Sequence, residues 1–181
     1  SLFAYQEQVC LIQFTAADVD YLVDPFGFSD LSPLGPIFSN PAIDKVFHAA
    51  EYDLICLKRD FGFEFKSLFD TMQAARILGK PGLGLGTMIE QEFGIHVDKR
   101  LQRANWARRP LSSEMMAYAR MDTHYLAALR DILMKELIER DRWDLAEEDF
   151  RRLTHTQAGN QVNGSWWKVS CAQDLTPRQA A

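Results

Sequence analysis

A chain of 181 residues, 47% apolar and 25% charged, is long enough to bury one core and too short to argue for two. No run reaches the roughly 18 to 20 apolar residues that a membrane-spanning helix needs, and a net charge of −5 argues against gripping nucleic acid by bulk electrostatics. The three cysteines, Cys10, Cys56 and Cys171, are far apart and odd in number, without a Cys-x-x-Cys pair, which excludes a disulfide framework or zinc cage and points to a reducing, cytoplasmic setting.

In chain order, Val9-Cys10-Leu11-Ile12-Gln13-Phe14 is a short apolar run with β-branched members and predicts a buried strand. Tyr21-Leu22-Val23-Asp24-Pro25 predicts its neighbour, closed by Pro25 and Gly27. Ile37 to Asn40 then leads through Pro41 into a third strand, Lys45-Val46-Phe47-His48. From Ala49 to about Arg59 the spacing of Tyr52, Ile55, Cys56 and Arg59 turns helical, and Gly62 ends the helix. Leu68-Phe69 is another extended step, and Asp70-Thr71 caps a helix from Met72 to Leu78 that Gly79 stops. The Gly82-Leu83-Gly84-Leu85-Gly86 cluster lacks the Gly-Lys-Ser/Thr ending of a phosphate loop and follows a helix rather than a strand, so it reads as a connection. Further helices are predicted from Thr87 to Phe93, from Ser112-Ser113-Glu114 onward, and from Asp122-Thr123 to Glu139 or Arg140, where Leu126, Leu129, Leu133 and Leu137 have core spacing. Short strands first, with helices between and after, indicate an α/β or α+β domain.

The pattern with most chemical content is Tyr118-Ala119-Arg120-Met121-Asp122. A helix carries residues i and i+4 on one face, so a phenol and a carboxylate aim at a common point. A second carboxylate delivered there by Asp53 would make a place for a divalent cation, which is the chemistry of cutting phosphodiesters. The residues alone leave two other roles open: Asp53 as partner to a nearby Lys or Arg, and Asp122 as a helix N-cap.

The surrounding sequence resembles a known family. Val46-Phe47-His48-Ala49-Ala50-Glu51-Tyr52-Asp53-Leu54 is similar to the second exonuclease motif of ribonuclease D, and Leu68-Phe69-Asp70-Thr71-Met72-Gln73-Ala74-Ala75 to the Phe-Asp-Thr element that follows it. Residues 98–106 with Arg109-Pro110-Leu111 resemble the stretch leading into the third motif, and Tyr118 to Asp122 resembles that motif in the tyrosine form of the Asp-Glu-Asp-Asp exonucleases. The resemblance implies an α/β, RNase H-like exonuclease fold with a mixed sheet flanked by helices. It also implies removal of nucleotides from an RNA 3′ end with two divalent cations, Mg2+ or Mn2+, about 3.5 to 4 Å apart. In that family pattern Asp53 and Asp122 are metal ligands and Tyr118 orients the attacking water. The implied partner is the single-stranded 3′ end of an RNA, transfer-RNA precursors among them. A DNA-directed 3′-5′ exonuclease and a catalytically silent RNA-binding domain of the same fold are the alternatives.

Between Asp98 and Pro110 five basic residues, Lys99, Arg100, Arg103, Arg108 and Arg109, stand against one acid, with Trp106 among them. Cations meet phosphates and a ring stacks on a base, so Lys99, Arg103, Trp106 and Arg109 are candidate substrate contacts. His48, just ahead of the Asp53 helix, is another. The alternatives are a solvated basic loop with Trp106 plugging the core, and a core histidine with satisfied hydrogen bonds.

The sequence departs from the family pattern in one respect: it contains no Asp-x-Glu, the family's first motif. The expectation is that the chain begins just downstream of that strand, so that residues 1–155 form an exonuclease domain without it. Trp166-Trp167-Lys168-Val169 and Asp174 to Ala181 resemble the join to a helical C-terminal module of the helicase-and-RNase-D type (HRDC-like), with residues 156–181 as linker and beginning. Thr176-Pro177 places Pro at a first helical position.

Overall fold

A computed structural model describes residues 8–156. Strand β1 (Ile12–Ala16) turns straight back into β2 (Val19–Val23), with Ile12 opposite Val23 and Ala16 opposite Val19. Ala17 and Asp18 both take positive φ (48° and 61°), the two-residue turn whose twist matches that of the strands it joins. A 3-10 turn at Ser32–Leu34 leads into α1 (Gly35–Ser39). Then β3 (Lys45–Phe47), α2 (Ala50–Phe61) and β4 (Leu68–Asp70) form a parallel crossover unit, with Lys45 opposite Leu68 and Phe47 opposite Asp70. Five helices complete it: α3 (Thr71–Leu78), α4 (Leu85–Phe93), α5 (Ser113–His124), α6 (Leu126–Glu139) and α7 (Trp143–Thr154).

The α/β class holds, while four details differ from the sequence expectation. Among the described residues the strands form two separate pairs, one antiparallel and one parallel, rather than one mixed sheet. The first strand starts at Ile12 rather than Val9, because the Val9 N–H is taken by the Asp60 carboxylate (3.0 Å) and leaves no ladder there. The helix expected to begin at Asp122 instead breaks at Tyr125, so Asp122 lies inside the last turn of α5 and is not an N-cap. Helices α1 and α7 were not anticipated; α7 is so rich in charge that its apolar stripe of Trp143, Ala146, Phe150 and Leu153 is easily overlooked. Residues 157–181, where the linker and C-terminal module are expected, lie outside the described residues.

Fully buried β4 is the centre of the core. Phe69 meets Phe150 at 4.7 Å between ring centroids and Trp143 at 6.4 Å, while Leu129, Leu133 and Leu137 of α6 are buried completely. Helix ends are closed by side chains from their neighbours, as unsatisfied terminal carbonyls require. Lys58 of α2 donates to the Thr154 and Thr156 carbonyls after α7 (2.6 and 2.7 Å). Arg140 and Arg142 donate to Leu78 and Ile77 at the end of α3.

Asp70 does the same for two helix N-termini at once. Its side chain is fully buried and accepts from Met72 N (2.8 Å) and Gln73 N (3.0 Å) at the start of α3, as the sequence predicts. It also accepts from Ala50 N (2.7 Å) and Ala49 N (3.2 Å) at the start of α2. Removing it strands four buried donors, so Asp70→Ala is expected to cost about 3 to 5 kcal/mol in urea unfolding, whereas an ordinary exposed cap costs about 1.

Candidate active site

The site lies beyond the carboxyl ends of the parallel strands β3 and β4, where α/β folds commonly bind ligands. The chain leaves β3 through His48 and Ala49, and Ala49 takes a left-handed conformation (φ 59°, ψ 50°) that turns it sharply into α2. Asp53 sits in the first turn of that helix, at the end of the helix dipole that favours an anion. Its carboxyl is nonetheless pushed up to about 6, by burial first and then by the charges of Asp122 and Asp70. Asp122 lies near the C-terminus of α5, the dipole end that disfavours an anion, and burial pushes it up to about 6 as well. Both residues keep water-exposed surface, so solvent and ions can reach the carboxylates.

Two helix ends from distant parts of the chain therefore bring two carboxylates within electrostatic reach. Tyr118, one turn earlier on α5, joins them: burial raises its phenol, and the charges of Asp122 and Asp98 raise it further. Trp106 backs that phenol, its ring centroid 5.9 Å from Tyr118's and tilted by 34°. Such a pair is relieved by a proton or by a cation, and hard divalent cations take carboxylate oxygens. Among the described residues no third acid, histidine or cysteine joins the pair. Asp53 and Asp122 thus fit one side of a cation site, with water and substrate phosphate as natural further donors.

The expected substrate contacts separate into two groups. Lys99 and Arg103 are exposed and form no ion pair among the described residues, and the effect of Asp98 on Tyr118 places their loop beside the site. Arg109 is different. All five of its N–H donors are spent inside the protein, on both oxygens of Asp24 (2.5 and 2.7 Å) and on the carbonyls of Cys10, Trp106 and Arg108. Its guanidinium also lies 4.9 Å from the Phe26 ring centroid. The expectation that Arg109 binds RNA is corrected: it ties the basic loop to the end of β2, and its hydrogen bonds hold the Asp24 carboxyl below the usual range. A basic residue surrounded by other bases gave no sign in the sequence that its partner stood 85 residues away. His48 is likewise spent on the fold, through Nδ1 to Thr71 Oγ1 (2.9 Å) and through a hydrogen bond to the Leu83 backbone. Burial lowers its pKa.

With this geometry in view, comparison with known proteins is decisive. Residues 1–138 match the family described as 3′-5′ exonuclease. The chain belongs to that family. It is 41% identical over 177 residues to Protein RRP6-like 3 of Arabidopsis thaliana, covering 97% of this chain and 19% of that protein. It is 41% identical over 140 residues to the exosome complex exonuclease RRP6 of Saccharomyces cerevisiae, covering 77% of this chain and 19% of that one. The chain thus spans about a fifth of the length of these relatives. Among solved structures, the catalytic core of RRP6 from Trypanosoma brucei superposes with a TM-score of 0.81 at 32% identity, over 84% of this chain and 43% of that one. Escherichia coli RNase D, an exoribonuclease involved in structured RNA processing, superposes with a TM-score of 0.75 at 33% identity, over 80% and 39%. The RNase D and RRP6 exonuclease fold is therefore the fold of this chain.

Two predictions follow from the charges in this exonuclease domain. Asp53 and Asp122 bind protons more tightly in the folded chain than in the unfolded one between 3.8 and about 6. Their contribution to stability is therefore full below about pH 4 and lost as the pH rises through 6. In EDTA at pH 7.5, Asp53→Asn or Asp122→Asn should stabilise the fold by on the order of 1 kcal/mol, once solvent screening of these open groups is allowed for, and so raise the melting temperature. Separately, Arg109→Lys should lower stability by roughly 2 kcal/mol in chemical unfolding, because a lysine cannot reproduce the five-donor fork. RNA affinity per folded molecule should not change in that variant.

Proposed function

We propose that this chain is the catalytic domain of a metal-dependent 3′-5′ exoribonuclease of the tyrosine subtype, trimming structured RNAs such as transfer-RNA precursors from the 3′ end. One arrangement carries the reading: Asp122, at the end of α5, stands close enough for its charge to act on both Asp53, at the start of α2, and Tyr118. Family membership and the names of the RRP6 and RNase D relatives support it. Asp53 and Asp122 would hold part of a pair of Mg2+ or Mn2+ ions. Such ions, when bound, supply Lewis-acid activation of a water and neutralise charge at the leaving oxygen.

The remaining work falls to the chain's own groups. The Tyr118 hydroxyl, kept protonated by its raised pKa, hydrogen-bonds and orients the attacking water. Lys99 and Arg103, exposed and unpaired among the described residues, meet backbone phosphates upstream of the scissile bond. Trp106 steadies Tyr118 from behind, a role its half-buried ring favours over stacking on a base. A reducing, cytoplasmic setting belongs to the same reading, supported by the free buried thiols of Cys10 and Cys56. A catalytically silent RNA-binding domain of the same fold is the second reading.

The test is digestion of 5′-labelled and 3′-labelled single-stranded RNA by the full-length protein, with Mg2+, Mn2+ or EDTA. The exonuclease reading predicts metal-dependent release of mononucleotides from the 3′ end and a shortening 5′-labelled ladder. Binding without cleavage in either metal moves the assignment to the silent domain. Asp53→Asn and Asp122→Asn should abolish cleavage and leave RNA binding in place. Tyr118→Phe should slow single-turnover cleavage by about 10- to 100-fold, because the ring stays and only the hydroxyl is lost.

A further inference from the structure

Helix α5 presents Tyr118 and Asp122 on one face, and something must hold its rotation so that they stay aimed. The residues two before and two after Asp122, Arg120 and His124, are i,i+4 neighbours about 160° round the helix from it. Both converge on one group of β2. The Asp20 side chain, only 5% exposed, accepts from Arg120 Nε at 3.0 Å and lies 3.1 Å from His124 Nδ1 through both carboxylate oxygens. The Thr15 hydroxyl of β1 donates to Asp20 Oδ1 (2.7 Å) and stands 2.9 Å from Thr123 Oγ1, which adds the residue next to Asp122 to the same network. Thr15 and Asp20 are directly opposed across the hairpin, so the acceptor and its support come from one rigid element.

We infer that Asp20 is a positioning residue for the candidate active site: from the far side of α5 it grips Arg120 and His124, two residues to either side of Asp122, and so fixes where the Asp122 carboxylate and the Tyr118 hydroxyl point. Burial alone would push the Asp20 carboxyl up, and the hydrogen bonds from Thr15, His124 and Arg120 outweigh it and hold the carboxyl below the usual range. Arg120 and His124 bracket Asp122 in the sequence, and the structure engages both with the hairpin. The inference rests on reading Asp122 as a metal ligand.

Supporting residues around metal ligands typically change metal affinity or activity by about 10- to 100-fold when removed. In the full-length protein, Asp20→Asn should lower kcat by about tenfold or more and raise the Mg2+ concentration for half-maximal activity, with KM for RNA within about twofold of wild type. Mn2+ binding without RNA, followed by electron paramagnetic resonance, should weaken by about tenfold in the same variant. Arg120→Gln and His124→Gln, at more exposed positions, should each give a smaller loss that disappears in the Asp20→Asn background, the signature of one shared network. These two variants carry the test if Asp20→Asn does not fold. Wild-type kcat, Mg2+ dependence and Mn2+ affinity in all folded variants, with Asp122→Asn inactive, would overturn the positioning role alone. Wild-type behaviour of Asp122→Asn would overturn the ligand assignment, and this inference with it.

Discussion

Four backbone N–H groups from two helices converge on one buried carboxylate, and the Asp53 side of the candidate site depends on it. Asp70 ends β4, begins α3 and also holds the first residues of α2, so these two helices start from a common point. A buried anion is tolerated only when hydrogen-bonded this fully. The same bonds hold Ala49 in a left-handed conformation that costs roughly 1 to 3 kcal/mol for a residue with a Cβ. The turn it makes is what delivers Asp53, one helical turn later, to the strand ends.

Against that fixed frame the site is built from opposing charges. Asp70 is compensated by backbone donors; Asp53 and Asp122 stand at an elevated pKa, through burial first and, for Asp53, through the neighbouring acids as well. Asp24, by contrast, is paired with Arg109, and Asp20 accepts from Arg120. Carboxylates left without a counter-charge beside one another are candidates for chemistry rather than stability. Lys99 and Arg103, exposed on the loop beside the site, form no ion pair with these acids among the described residues.

Local rules made much of this legible from sequence. The Asp70-Thr71 cap and the glycine stops at Gly62 and Gly79 were readable because each depends on neighbouring residues. So was the shared face of Tyr118 and Asp122. What escaped were pairings across long separations. Arg109 looked like a phosphate contact because its partner Asp24 is 85 residues away. The second half of the Asp70 role was hidden because its donors precede it by 20 and 21 residues. The break at Tyr125 was missed because apolar spacing runs through it from α5 into α6; without that break Asp122 reads as a cap instead of a residue in the closing turn of a helix. The family resemblance supplied what spacing does not: that Asp53 and Asp122 meet.

The central claim is that these two carboxylates share one electrostatic site made for a cation. Carbon-13 NMR of the aspartate carboxyl groups, titrated with and without Mg2+ and assigned through Asp53→Asn and Asp122→Asn, tests it directly. The account predicts that both groups titrate near 6 without metal, that each variant lowers the pKa of the other acid, and that Mg2+ drives both far below 6. Ordinary, independent titrations near 3.8 that ignore Mg2+ would contradict it.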